Sequence, residues 1–229
     1  MLLVRAADVP EYVQDGVVDC GITVVDLVRE SGAAVHESLR LGFGSCRLEA
    51  AVPQESSITR LADLRGMTVA TVYPRLSLEL LPAEVTLVDI TGSVELAPRL
   101  GLADAIVDLV SSGNTLRTNG LRSLGVLLES EAVFVVRNDH AARPFAAMLR
   151  AVVDARRHRY VMLNAPESAL PDITALVAPR VPSVLPLAEP GMVAVHALVS
   201  AAEIWRLLPQ LEAAGGSSIL IVPVERMAA

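Results

Sequence analysis

Two aspartates four residues apart, Asp104 and Asp108, interrupt the apolar run Ala103–Val110, and the small polar residues Ser111-Ser112-Gly113-Asn114-Thr115 follow at once. The run is too short for an independent helix and too apolar for a surface strand, which predicts a buried parallel strand. Strand residues four apart share a face, so both carboxylates project from one side while Ala105, Val107 and Leu109 fill the other. A strand leading into a hydroxylated loop and a helix start gathers backbone N–H groups, hydroxyl donors and a helix dipole, which is the chemistry of an anion site. Taken alone, SSGNT is also an ordinary turn. Asp104, deeper in the run, is assigned to backbone bonding, with a metal shared with Asp108 as the alternative. Upstream, a short helix predicted over Ser93–Leu100 carries Glu95 and is stopped by Gly101, where a helix C-terminus favours φ > 0.

The elements that must position these groups alternate along the chain. Strands are predicted over Leu2–Arg5, Val17–Ile22, Val35–Leu41 and Cys46–Val52. The first helix starts at an Asp8 N-cap with Pro10 in its opening turn, and the second runs from Thr23 to Glu30. Thr23 and Asp26 match a capping box, a sufficient structural reason for Asp26. A polar link over Gln54–Leu64 leads to strands over Gly66–Thr71 and Val85–Ile90, with Tyr73-Pro74 and a helix, Leu76–Leu81, between them. A strand over Glu129–Val136 returns to the first lobe, and a long helix covers Ala141–Arg156. Alternation of this kind predicts an α/β fold with a parallel, doubly wound sheet. Beyond Arg156-Arg157-His158-Arg159 the order becomes βαββαβ, which is ferredoxin-like α+β. Those strands are expected over Tyr160–Asn164, Val181–Leu187, Val193–Val199 and Ser218–Val224, and the helices over Glu167–Val177 and Ala201–Ala214.

Composition narrows the function. The chain of 229 residues carries a net charge of −7, which argues against general nucleic-acid binding. It is 52% hydrophobic with 3% aromatic residues, so its core must be built from Ala, Val and Leu. No stretch is long enough for a membrane span, and Cys20 and Cys46 lack metal-ligand spacing, as expected of a cytoplasmic protein with buried thiols. All nineteen basic residues are arginine, so any cationic clamp on phosphate is arginine, and lysine-dependent chemistries are excluded. The four histidines, His36, His140, His158 and His196, show no metal or nucleophile pattern.

The run ELAPRLGLADAIVDLVSSGNTL, Glu95 to Leu116, resembles the signature of the ATP phosphoribosyltransferase family of histidine biosynthesis. VRAADVPEYV and VDCGITVVDLV are similar to that family's VRxxDVPxYV and DxGITGxDL segments, and PLAEPGMVAVHALV resembles the C-terminal regulatory domain of its long form. Those N-terminal segments lie well inside the usual family chain, so a start at Met1 reads as truncated or late, leaving out a first strand and helix.

The resemblance implies a catalytic part of two lobes similar to the type II periplasmic binding-protein fold. Lobe I comprises 1–53 plus 129–155, lobe II comprises 54–128 with the phosphoribosyl pyrophosphate loop, and 156–229 is the regulatory domain. It implies displacement at C1 of phosphoribosyl pyrophosphate by adenine N1 of ATP, with Mg²⁺ on the departing pyrophosphate and metal ligands left open. Ser111, Ser112, Gly113, Asn114 and Thr115 then hold the 5-phosphate. Asp108 takes the ribose hydroxyls, and Glu95 does the same or helps to hold metal. Arg5 is either a phosphate contact or an exposed arginine beside a helix start, and Tyr73 either borders the adenine or ends its strand. Asn164 and Ser183 fall at the histidine effector pocket, where no acid for the histidine ammonium is evident. The family assembles as dimers and hexamers. Two alternatives stand beside this assignment: a non-catalytic two-lobed small-molecule binder, and a catalytically impaired fragment whose regulatory domain still binds histidine.

Overall fold

The computed structural model describes residues 1–138 and 142–227, and it divides into two compact units, Met1–Ala146 and Ala147–Ala229. His140 lies outside the described residues.

The first unit runs through α1 (Val9–Gln14), β1 (Cys20–Val24), α2 (Val25–Ser31), β2 (His36–Arg40) and β3 (Cys46–Pro53). It continues with β4 (Thr68–Thr71), α3 (Pro74–Leu80), β5 (Thr86–Asp89), β6 (Ala105–Val110), α4 (Asn114–Thr118), β7 (Leu121–Ser130) and β8 (Ala132–Val136), and the chain leaves it within α5 (Arg143–Arg156). Two sheets form. One has three strands in the order β1-β8-β2, and the other has five in the order β5-β4-β6-β3-β7. They are joined by two crossings, β2 to β3 and β7 to β8, that run side by side. The Leu41 N–H donates to the Ala132 carbonyl and the Ala132 N–H to the Phe43 carbonyl, both at 2.9 Å. The Glu131 carboxylate accepts from the Gly42 N–H at 2.9 Å and pairs with Arg40 at 3.3 Å.

This is the α/β class with two lobes, but a parallel, doubly wound sheet throughout is corrected. Only β5-β4-β6 is parallel; β3 is antiparallel to both β6 and β7, and β1-β8-β2 is wholly antiparallel. The reason lies in β3, where Leu48 to Val52 are all buried. A strand covered on both faces reads as an apolar run whichever way it points. The segment 46–53, grouped above with the first lobe, is hydrogen-bonded into the larger sheet. β7 escapes the sequence pattern because two register shifts against β3 break its alternation. The helix predicted over Ser93–Leu100 is a single 3-10 turn, Val94–Leu96, and Gly101 does take φ 71°.

At the start, Met1–Arg5 forms no strand, and Leu3 is 88% exposed. Strand geometry needs a ladder, and β1 at the sheet edge bonds to β8 alone. Asp8 sits at the N-cap of α1 but caps nothing with its side chain, accepting instead from the Arg5 guanidinium. The capping box is absent as well. α2 begins after Val24, and the Thr23 hydroxyl donates to the Ala6 carbonyl at 2.7 Å. Across the unit, Glu30 at the end of α2 accepts the N–H groups of Arg75 and Leu76, both at 2.9 Å, and so caps the first turn of α3.

In the second unit the order is β9 (His158–Pro166), α6 (Leu170–Val177), β10 (Ser183–Pro186), β11 (Met192–Ser200), α7 (Ile204–Ala213) and β12 (Ser217–Pro223). Its antiparallel sheet runs β10-β11-β9-β12, the ferredoxin-like arrangement expected from βαββαβ. Val161, Leu163, Ala165, Val193, Val195 and Ala197 face Ile173, Val177, Leu207 and Leu211 in one core. Burying a set of this kind drives the fold at about 25 cal/mol per Å² of apolar surface.

Candidate active site

Parallel strands in the order second-first-third place a topological switch point between β4 and β6, and open α/β sheets bind ligands beyond the carboxyl ends of such strands. Four chain segments meet at that edge. After β4 comes Tyr73, and after β6 comes Ser111 to Gly113. Because β3 is antiparallel, its first residues Cys46 and Arg47 lie at the same edge, Arg47 opposite Val110. β7 ends there too, with Ser130 opposite Cys46.

Asp108 stands two residues before the end of β6 and is half-buried. Its Oδ1 accepts the Leu109 N–H at 2.8 Å. Burial pushes its carboxyl above the usual aspartate range, and the nearby charge of Glu95 adds to the rise against the lowering effect of the Leu109 bond. Glu95 is held there by its 3-10 turn, whose Val94 packs with Ala97, Ile106, Val110 and Leu116. Asp108→Asn tests this environment. A folded-state pKa above the unfolded value of about 3.9 means that ionising Asp108 costs stability as pH rises through that range. The variant should therefore gain in urea midpoint over the parent at pH 7, and the gain should vanish below about pH 4. A gain that instead grows toward acid would contradict burial as the dominant influence.

Gly113 enters α4 with φ 74° and ψ 1°, and no side chain caps the turn. Ser111, Ser112, Asn114 and Thr115 are exposed, while Leu116 anchors the turn in the core. Asn114 Oδ1 accepts from the Arg117 guanidinium, and Asn119 Nδ2 donates to the Thr115 carbonyl at 3.0 Å. With only five residues in α4, the anion-holding capacity of this loop lies in its hydroxyls and free N–H groups more than in a macrodipole. Asp104 precedes β6, and its Oδ2 accepts the Thr68 N–H at 2.8 Å, the backbone role expected of it.

The Tyr73 ring is buried, and its hydroxyl donates to Asp26 Oδ2 at 3.1 Å. Asp26 is fully buried; its Oδ1 accepts from the Ser130 hydroxyl, and its own N–H donates to Ser130 Oγ at 3.1 Å. Burial first, then the charges of Asp26 and Asp108, drive the Tyr73 phenol far above its ordinary range, so it stays protonated as a donor. Asp26 and Ser130 are functional candidates that the sequence reading missed. The available signal was an acid set between Val25 and Leu27 in an otherwise apolar stretch. The exposed guanidinium of Arg5 pairs with Asp8 at 3.1 Å.

In the second unit Asn164 lies on β9 and Ser183 on the edge strand β10, with β11 between them. Ser183 is level with His196 and Met162, so it shares a sheet face with Asn164. Two strand spacings and a two-residue offset, roughly 12 Å in all, separate them. Tyr160 Oη and His196 Nδ1, on this face, are 3.2 Å apart. Among the described residues no group of three or more His, Cys, Asp or Glu side chains is arranged to hold a metal ion.

Comparison with known proteins resolves the identity. The model of the ATP phosphoribosyltransferase family, HisG, matches residues 5–155, and that of the HisG C-terminal domain matches residues 155–226. The chain belongs to the ATP phosphoribosyltransferase family. These are pentosyltransferases of histidine biosynthesis. The ATP phosphoribosyltransferase of Halobacterium salinarum is 44% identical over 237 residues, covering 99% of this chain and 84% of that protein. That of Gemmatimonas aurantiaca is 41% identical over 246 residues, with the same coverage of 99% and 84%. Among solved structures, the ATP phosphoribosyl transferase (HisG:HisZ) complex from Thermotoga maritima aligns with a TM-score of 0.55 at 28% identity, over 62% of this chain and 71% of that one. No helix of the described residues is long and apolar enough to cross a membrane.

Proposed function

We propose that this chain condenses ATP with phosphoribosyl pyrophosphate at the edge shared by β3, β4, β6 and β7, giving N1-(5-phosphoribosyl)-ATP and pyrophosphate. The observation that carries this is the convergence of Asp108, Glu95 and the uncapped Ser111–Thr115 loop on the switch point of the parallel strands. Adenine N1 contributes its lone pair to C1 of the ribose, the C1–O bond breaks, and the electron pair leaves with pyrophosphate. Positive charge builds on the ribose ring, and the carboxylates of Asp108 and Glu95 lie where they oppose it and accept from ribose hydroxyls. Ser111, Ser112, Asn114 and Thr115 donate to the 5-phosphate. Tyr73, backed by Asp26, borders the base. Arg5, held on Asp8 through Nε and Nη2, offers Nη1 to an ATP phosphate.

Mg²⁺ fits this donor set as an ion that keeps few protein ligands: one or two carboxylates with substrate phosphates meet its usual coordination. When bound it neutralises the leaving pyrophosphate. Histidine is the proposed effector, on the sheet face that holds Asn164 and Ser183, and the lack of an acid at Asn164 favours weak inhibition. A cytoplasmic homo-oligomer, dimer or hexamer, is the proposed working form.

The test is pyrophosphate release measured with each substrate alone and with both, in Mg²⁺. Release that requires both ATP and phosphoribosyl pyrophosphate supports the assignment. Release with neither combination, at protein concentrations where the fold is verified by circular dichroism, rejects it.

A further inference from the structure

We infer that Arg47, held by the buried Glu49, is the cationic contact for a phosphate group of the substrate beside Asp108, an inference that rests on the phosphoribosyl reading above. β3 is apolar and buried at Leu48, Ala50, Ala51 and Val52, yet Glu49 among them is a carboxylate only 5% exposed. In the ladder with β6, Glu49 is directly opposite Asp108, and Arg47 is opposite Val110. Directly opposed strand residues share a face, so Glu49 and Asp108 are neighbours, and Arg47 lies on that same face one step nearer the loop. Val110 is the residue from which Ser111 to Thr115 depart.

The ion pair is asymmetric. Arg47 Nε meets Glu49 Oε1 at 3.0 Å, the acid 5% exposed and the arginine side chain 42% exposed. A guanidinium gripped by its inner nitrogen is anchored at the buried end and open at the other, a fork suited to phosphate oxygens. Stability alone explains the pair poorly, since an apolar residue at position 49 would continue the core and avoid a buried charge. Charge balance points the same way. Asp108, Glu95 and Glu49 gather negative charge where a polyanion must sit, and the cation at the loop, Arg117, is already engaged with Asn114. On the other flank Arg47 is level with the exposed Glu129 of β7.

Arg47 would thus contact substrate directly, and Glu49 is its positioning residue. The test is calorimetric titration of the full chain with phosphoribosyl pyrophosphate in Mg²⁺, and separately with ATP, for the parent, Arg47→Gln, Arg47→Lys and Glu49→Gln. Arg47→Gln should weaken phosphoribosyl pyrophosphate about 10- to 100-fold with ATP affinity little changed, and should also lower the melting temperature because the buried Glu49 loses its ion-pair partner. Arg47→Lys should recover part of the loss. Glu49→Gln, equal in volume, should raise KM for phosphoribosyl pyrophosphate several-fold while leaving KM for ATP in place, a split that mere loosening of β3 would not produce. Competition by ribose 5-phosphate and by inorganic pyrophosphate identifies which phosphate is touched, because only that competitor loses potency in Arg47→Gln. If Arg47→Gln binds like the parent while Gly113→Val does not, the role of Arg47 is overturned and the phosphoribosyl site stands. If neither variant changes binding, the site itself is wrong.

Discussion

Gly113→Val should weaken phosphoribosyl pyrophosphate binding by about ten- to a hundred-fold and lower turnover with it, while the protein still folds. Gly113 holds φ 74° and ψ 1° at the head of α4, and a Cβ placed on it meets nothing within 4 Å. Crowding is therefore not the issue; conformation is. A β-branched residue in the left-handed region costs about 1–3 kcal/mol, which the exposed loop escapes by changing its backbone. That change re-aims the N–H groups between Ser111 and Thr115, and with them the cradle for the 5-phosphate. Gly113→Ala should show a smaller loss of the same kind. Thr115→Ala removes one hydroxyl donor to a charged group, about 1.5–3 kcal/mol or ten-fold and more in affinity. Calorimetric titration in Mg²⁺ reads both effects. Parent-like affinity in both variants would remove the loop from the site.

Asp26→Ala should destabilise the first unit by about 3–5 kcal/mol, the cost of breaking a buried network around a charge. The carboxylate accepts from the hydroxyls of Tyr73 and Ser130, and all three residues are buried. Truncation leaves two hydroxyls without their acceptor, and each buried unsatisfied group costs about 1–3 kcal/mol. Asp26→Asn keeps one acceptor oxygen and should cost less. Tyr73→Phe in the Asp26→Ala background should cost less than in the parent, because the hydroxyl it deletes is already orphaned. Urea midpoints at constant m-value measure all of these. An Asp26→Ala midpoint within experimental error of the parent would show that water replaces the network.

Period and punctuation made the second unit legible. Met192 to Ser200 alternates strictly between buried and half-buried residues, and Gly191, Gly215 and Gly216 fall between elements, although Pro209 lies inside α7. In the first unit the elements were legible and their directions were not. Leu48 to Val52, apart from Glu49, and Ala105 to Val107 are apolar and buried alike, yet one strand is antiparallel to its neighbours and the other is parallel on one side. Direction is fixed by chain crossings such as 40–46 and 130–132, which leave no periodic trace in the residues. At the site, the Asp108 loop stood out because its residue types are out of place in an apolar run. Asp26 did not, because the same sequence has a sufficient local explanation that long-range contact with Tyr73 and Ser130 displaces. Glu49 was hidden for the opposite reason, as a single acid in a strand with no motif around it.

The cap that Glu30 places on α3 has a kinetic meaning. α2 packs against the smaller sheet through Val25 and Val28, whereas Leu76 of α3 belongs to the core of the larger one. A motion that parts the two lobes must therefore draw Glu30 away from the N–H groups of Arg75 and Leu76. With water replacing part of each bond, that separation costs about 2–4 kcal/mol. The Asp26 bonds to Tyr73 and Ser130 bridge the same seam, so the open form is populated at well below about one part in thirty. A nucleotide that enters only through the parted form would meet an apparent association rate reduced by the same factor, and weakening one carboxylate far from the reacting atoms would speed its entry.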